Sequence, residues 1–409
     1  MNCRHCGAPL RLPFVDLGSA PPSNAYLSAA ALHRPESWYP LRVLVCERCW
    51  LVQTEDFARP ETLFDADYAY FSSVSTSWVA HAERYVATMV ERLGLDGDSR
   101  VVELAANDGY LLQHLQARAI PCLGVEPTAA VAAAARERGL EIVEAFFDRA
   151  LAARLLAEGW GADLVVANNV LAHVPAINDF VAGIALLLRP DGVATFEFPH
   201  LLRLIAGNQF DTLYHEHYSY LSLGAVGRVC AANGLAVFDV ETLPTHGGSL
   251  RVFAQRADHG ARPTTPRVAA LRAEELAAGL ERAATYQGLQ ARAERLRLEL
   301  LDYLIRARRQ GLQVVGYGAA AKGNTLLNFA GVRPDLLHYV VDRSPGKLGR
   351  HLPGSRIPIV AESRLRETRP DRVLLLPWNL RDELTAQLGY VREWGARFVV
   401  AVPGIEEYA

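Results

Sequence analysis

Between residues 100 and 260 the chain alternates short, almost wholly apolar runs with longer stretches that are apolar on one side only. The runs Arg100–Ala105, Pro121–Val125, Leu140–Val143, Ala162–Ala167 and Val193–Phe198 read as strands buried on both faces, as in a parallel sheet. Between them, the stretches from Leu111 and over 128–138, 148–157, 178–188 and 201–208 carry apolar residues at helical spacing. A helix over 224–233 leads to Leu235–Val240 and Ser249–Phe253, an antiparallel pair that closes the sheet. Regular β-α alternation predicts a doubly wound α/β sheet, with ligands beyond the carboxyl ends of its strands. An amphipathic helix over about 78–94, capped by Ser77, precedes this region. Residues 263–310 are rich in Ala, Leu, Arg and Glu at helical spacing and form a helical connector. A further α/β unit begins at Gly311, with strands ending near Tyr317, at Tyr339–Val341 and near 373–377 and 398–402.

A chain of 409 residues exceeds one ordinary core, so two or three domains are expected. The net charge of −3 supplies no basic field for nucleic acid. No apolar run reaches membrane-spanning length, and the first residues lack an apolar leader, which predicts a soluble cytoplasmic protein without a membrane partner. The oligomeric state is left open, and a monomer suffices.

Charge and compartment change how the cysteines read. Cys3-Arg-His-Cys6 and Cys46-Glu-Arg-Cys49 are matched C-x2-C pairs separated by 39 residues. Two such pairs complete a tetrahedral thiolate shell, closed and therefore structural, which predicts a zinc ion and a small β-rich insert between the knuckles.

In the central sheet, Glu103 begins the turn Ala106-Asn107-Asp108-Gly109-Tyr110, and Glu126 ends the next strand 23 residues further on. An acid at that distance suits a ribose diol, while the turn lacks the glycine pattern for a pyrophosphate. This favours S-adenosylmethionine over a dinucleotide; a βα turn without ligand is the competing reading. Asn168, Asn169 and His173 end the fourth strand at the ligand edge.

The densest chemistry is Tyr214-His215-Glu216-His217-Tyr218-Ser219-Tyr220, just after Asp211. So many acid/base groups in seven positions read as the floor of an active site, because hiding them in a core costs about 1–3 kcal/mol for each unpaired group. Tyr68 and Tyr70 are further site candidates, since helix capping does not explain them. His246-Gly247-Gly248 is either a hairpin turn or a close backbone approach to substrate. Gly316-Tyr-Gly-Ala-Ala-Ala-Lys322-Gly323-Asn324 follows a strand and opens a helix, which predicts an anion-accepting nest. Its spacing departs from that of a nucleotide triphosphatase loop and favours a static diphosphate or sugar site.

Four signatures occur together in order: the two cysteine pairs, Glu103-Leu-Ala-Ala-Asn-Asp-Gly-Tyr110, Phe210-Asp-Thr-Leu-Tyr-His-Glu-His217 and Gly316–Asn324. In these the chain resembles, over nearly its full length, the sugar C-methyltransferases that act on nucleotide-linked 4-keto sugars in branched deoxysugar biosynthesis. The resemblance implies a zinc-binding domain over 1–75, a class I methyltransferase core over 76–256, the connector over 257–310, and a Rossmann-like nucleotide-sugar-binding domain over 311–409. It implies S-adenosylmethionine as cofactor and C3 of a dTDP-linked or similar 4-keto deoxyhexose as the methylated carbon. It also makes His217 the base, which the residues alone do not separate from His215. Glu216 would orient or tune that base, with Tyr214, His173 and Tyr68 stabilising an enolate or positioning the sugar. Glu103, Asn107, Gly109, Glu126, Asn168 and Asn169 would line the cofactor. Tyr70, Lys322, Asn324, Arg343 and His351 would meet the substrate, the last four its nucleotide diphosphate.

Overall fold

The computed structural model describes residues 1–57, 63 and 71–409. The insert between the cysteine pairs is the β-rich piece expected: β1 (Leu12–Ala20) and β2 (Tyr39–Val45) pair antiparallel, and β3 (Val52–Thr54) follows on the far side of β2.

The apolar runs of the middle region become β4 (Val101–Leu104), β5 (Cys122–Val125), β6 (Ile142–Val143), β7 (Ala162–Asn168) and β8 (Leu188–Pro199), all parallel. β9 (Ser219–Tyr220) leaves this sheet and pairs with β3 of the N-terminal one. The chain then returns as β10 (Leu235–Leu243) and β11 (Ser249–Arg256), antiparallel to each other, with β11 antiparallel to β8. The order β10-β11-β8-β7-β4-β5-β6 puts the ends of β4 and β7 side by side at the switch point where a doubly wound sheet binds its ligand. β8 begins with an irregularity at residues 189–192, where its register with β7 jumps from Leu188 to Val193.

Helices pack where helical spacing foretold: α1 (Thr76–Leu93), α2 (Leu112–Gln116), α3 (Ala129–Glu137), α4 (Arg149–Ala157), α5 (Ile177–Leu187), α6 (Leu201–Ala206) and α7 (Leu223–Ala232). Ser75, not Ser77, caps α1, its hydroxyl accepting from the Trp78 amide. The connector is α8 (Pro266–Ala277), the short α9 (Ala283–Tyr286) and α10 (Leu289–Arg309). Along α10, Leu289, Ala293, Leu296, Leu300, Leu304 and Ala307 recur every three or four residues and are all buried. Each leucine so placed contributes roughly 1.5–3 kcal/mol.

The third sheet holds β12 (Val314–Tyr317), β13 (Val340–Val341), β14 (Ile359–Val360), β15 (Arg372–Leu375) and β16 (Arg397–Val400), parallel, with β17 (Glu406–Tyr408) antiparallel at the edge. α11 (Ala321–Ala330) follows β12 directly. One apolar core joins the cysteine knuckles to the central sheet, and another joins β1 and β2 to α10 and the third sheet. The N-terminal unit is thus wedged between the other two. No helix among the described residues is long and apolar enough to cross a membrane.

Candidate active site

The four thiols of Cys3, Cys6, Cys46 and Cys49 lie within 4.8 Å of one another, with Cys3–Cys49 and Cys6–Cys46 at 3.5 Å. A tetrahedron of sulfurs about 2.3 Å from a central ion has edges of this size. Gln53 Nε2 also donates to Cys3 Sγ at 3.2 Å, an outer contact of the kind that steadies a thiolate ligand. The donor set fits zinc and leaves no open position.

At the end of β4 the backbone turns sharply, with positive φ at Ala105, Asn107 and Gly109. Gly109 is required: at φ +79° a Cβ would lie 2.1 Å from Leu140 Cδ1. Glu126, at the end of β5, accepts from the Asn107 amide at 3.0 Å and the Thr128 amide at 2.9 Å, while burial pushes its carboxyl up. Glu103 is fully buried beside the Tyr110 hydroxyl, and burial holds its carboxyl well above the ordinary range. Asn168 and Asn169 end β7 with buried side-chain carbonyls that find no partner among the described residues. Buried acceptors left open at this edge suit a ligand that brings donors. Beside them, the Asn107 side chain accepts from the Ser72 amide at 2.8 Å, tying the turn to the segment that enters α1.

The 214–220 run turns back on itself, the His217 amide bonding the Tyr214 carbonyl. Its two histidines part company. His215 points to the N-terminal sheet, its Nε2 donating to the carbonyls of Tyr39 and Pro40. His217 points the other way, with its ring 4.0 Å from that of Tyr214 and 4.6 Å from that of His173. Its Nδ1 donates to the Thr212 carbonyl at 3.0 Å, so Nε2 carries the lone pair, and no described residue occupies it. Burial, with His173 adding to it, keeps His217 well below the ordinary histidine value, so it is neutral at pH 7. His173 donates from Nδ1 to the Glu216 carbonyl at 2.8 Å, and burial lowers it to about 4.

Glu216 departs from its expected part. Its carboxylate makes no hydrogen bond with His217 but accepts from the amide and side chain of Asn24, both at 3.3 Å. The other oxygen is buried without a partner, and burial pushes the carboxyl up to about 7. What Glu216 orients is His173, through its backbone carbonyl. Tyr68 and Tyr70 lie outside the described residues.

The four residues expected at a diphosphate meet separate partners. Lys322 Nζ donates to Asn379 Oδ1 at 2.6 Å and lies 4.8 Å from the Trp378 ring centroid, in electrostatic reach of His217 and His246. Asn324 is buried and donates to the Ser23 carbonyl, Arg343 pairs with Glu362, and His351 joins Leu27 through backbone bonds. Three amides of the expected anion nest are already taken. Ala319 N donates to Asp342 Oδ2 at 2.8 Å, Gly318 N to the Val341 carbonyl, and Ala320 N to the Gly318 carbonyl. A carboxylate of the chain itself thus takes one of the turn's amides.

Family models match most of the chain in three pieces. Residues 3–64 match a zinc binding domain, 78–240 a methyltransferase domain, and 244–403 a C-methyltransferase C-terminal domain. C-methyltransferase NovU of Streptomyces niveus is 36% identical over 404 residues, 98% of this chain and 95% of that one. The chain belongs to this C-methyltransferase family. Among solved structures, magnesium protoporphyrin IX methyltransferase from Synechocystis with bound S-adenosylmethionine is 17% identical, covering 44% of this chain and 79% of that one at a TM-score of 0.34. The PH0226 protein of Pyrococcus horikoshii is 15% identical over 49% of this chain and 100% of its own, at 0.38. Scores this low carry no argument of their own.

The C-methyltransferase therefore uses S-adenosylmethionine and carries a structural zinc site. Its core also gathers residues that sequence reasoning passed over. Glu197, at the end of β8, accepts from His81 at 3.0 Å, from Arg251 at 2.8 Å and from Thr245 at 3.3 Å. Trp78 stacks on His81 at 4.8 Å and meets the edge of His246 at 5.1 Å. His246 stands at φ +55°, and burial lowers it to about 4. Glu197 sits at the carboxyl end of a strand, a usable signal; His81 and Trp78 lie in a helix pattern that reads as ordinary packing.

Proposed function

We propose that the enzyme transfers a methyl group to C3 of a nucleotide-linked 4-keto deoxyhexose, with dTDP as the nucleotide, through an enolate. Branched deoxysugar biosynthesis in the cytoplasm is the setting this implies. One observation carries the reading: a buried, neutral His217 whose Nδ1–H is taken by the Thr212 carbonyl, which leaves the lone pair on Nε2, and whose ring packs against those of His173 and Tyr214. A C–H beside a ketone is a weak acid, and its removal needs a fixed base together with donors for the developing oxyanion.

His217 Nε2 takes the C3 proton and keeps it as Nε2–H. The electron pair left behind moves onto the C4 oxygen, where Tyr214 and Tyr68 donate; His173, neutral and with its one N–H on the Glu216 carbonyl, positions the sugar. Loss of one such donor raises the barrier by about 2.7–4 kcal/mol. The sulfonium of S-adenosylmethionine supplies an electrophilic methyl. Glu103, Asn107, Gly109, Glu126, Asn168 and Asn169 would hold the cofactor, and the methyl would pass to the carbanion as its bond to sulfur breaks. Of the nucleotide candidates, Lys322 keeps a site role, as the cation that reaches furthest toward His217; Tyr70 stays with the sugar.

Exchange of the C3 proton with deuterated solvent isolates the base step. With dTDP-4-keto-6-deoxyglucose, His217→Asn is expected to abolish that exchange while leaving S-adenosylmethionine affinity within twofold by calorimetry. Exchange at the normal rate in this variant would sink His217 as the base. A product heavier by one methyl, with the label on carbon, fixes the substrate class.

A further inference from the structure

Three consecutive residues, Asp211, Thr212 and Leu213, lie just before the run that contains His217. The middle one accepts the Nδ1–H of His217 through its carbonyl. Both outer ones are held from the C-terminal unit. Trp378 Nε1 donates to Asp211 Oδ2 at 2.7 Å, and Thr325 Oγ1 donates to the Leu213 carbonyl at 2.9 Å. Asp211 is fully buried and Thr325 nearly so, which shelters both bonds from competing water. The two donors come from different elements, Thr325 from α11 and Trp378 from the loop after β15. A single tilt of the C-terminal unit would strain both.

We propose that Trp378 and Thr325 are positioning residues for the base: they clamp Asp211 and Leu213 so that the Thr212 carbonyl locks His217 in the tautomer with its lone pair on Nε2. The C-terminal unit is then a part of the proton-transfer apparatus as well as a site for substrate. Without the clamp, the 211–213 carbonyls rotate, the imidazole samples both tautomers, and its angle to the C3 proton drifts. This inference rests on the reading of His217 as base, but its structural half is measured without turnover.

Trp378→Phe keeps a ring and removes the N–H; Thr325→Val keeps the shape and removes the hydroxyl. With dTDP-4-keto-6-deoxyglucose, each is expected to slow C3 deuterium exchange about tenfold, and the double variant about a hundredfold, a loss of the size that small misplacements produce. S-adenosylmethionine affinity stays within twofold. Thr325→Ser restores the hydroxyl and exchanges at the wild-type rate. In enzyme carrying 15N-labelled histidine, the His217 ring nitrogens move from a single Nδ1–H tautomer toward a mixture in the double variant. Wild-type exchange in that variant, or an unchanged tautomer, overturns the proposal. So does a Thr325→Ser enzyme as slow as Thr325→Val, because packing would then be the cause. Normal exchange in His217→Asn removes the base assignment instead and leaves the tautomer result standing.

Discussion

The protein contains two doubly wound sheets whose first turns are built alike and end differently. In the central sheet, Glu126 accepts from the turn amide of Asn107 and from Thr128 two residues beyond itself. In the C-terminal sheet, Asp342 accepts from the turn amide of Ala319 and from Ser344, also two residues beyond itself. The hydrogen bonding is superimposable in kind. What differs is the cation. Lys347 Nζ lies 3.5 Å from Asp342 and donates to the Ala319 carbonyl at 2.9 Å, whereas Glu126 has no ion pair among the described residues. One acid faces a cation; the other has none, and it stands at the same sheet edge as the open asparagine carbonyls. The lesson is that topology supplies a candidate pocket twice, and a single lysine decides which copy stays available.

The widest gap between the two should open at the acids. Glu126→Ala is expected to weaken S-adenosylmethionine binding about a hundredfold, the loss of charged hydrogen bonds worth about 1.5–3 kcal/mol each, while Asp342→Ala leaves it within twofold. Calorimetric titration of both decides it, and equal losses would end the comparison. The glycines sharpen it next. Gly109→Ala and Gly318→Ala both force a side chain onto positive φ, against Leu140 Cδ1 at 2.1 Å and Pro377 Cδ at 2.6 Å. Each should cost about 2 kcal/mol in thermal or denaturant unfolding. Only the first should also reduce cofactor affinity.

The smallest effect concerns a third acid, Glu216, which like Glu126 has no ion pair among the described residues. Its folded carboxyl titrates at about 7, against 4.5 ordinarily, so the folded state holds that proton more tightly. Stability gained in this way is present at low pH and drains away as the pH climbs from 4.5 through 7. The full shift is worth up to ~3 kcal/mol, of which Glu216→Gln should recover about 1, since its amide nitrogen stays without an acceptor. The curves of variant and parent should cross: the variant melts lower near pH 4.5, where its unpaired amide costs about 2 kcal/mol, and slightly higher by pH 8.

Legibility from sequence followed the range of the interaction. Spacing alone located the strands of the central sheet and the faces of the helices, because burial on one or two faces leaves a periodic trace. The zinc knuckles were readable because tetrahedral ligation demands paired thiols. Within the run, side-chain type gave the chemistry, but which way each histidine pointed depended on contacts from elsewhere: Tyr39 and Pro40 for His215, Thr212 for His217. The nest read at 316–324 depends on a contact of the same kind. Its glycines make an anion site only if no acid of the chain gets there first, and Asp342, more than twenty residues on, does. Trp78 and His81 left no trace because a helix face packed on polar groups has the same spacing as one packed on a core.

The pairing of β9 with β3 has a bearing on how such enzymes can be rebuilt. Val52 and Gln53 hold Tyr220 and Ser219 in register, and the Thr54 hydroxyl bonds the His217 carbonyl at 2.7 Å. The strand that follows the zinc knuckles and the peptide that bears the imidazole are therefore one woven seam. A chimaera that transplants the methyltransferase core alone would sever that seam, however well the borrowed core folds. Recombination among relatives must carry the cysteine-bearing segment with the core as a single heritable block, and crossovers between residues 54 and 217 are the ones expected to yield folded but inert progeny.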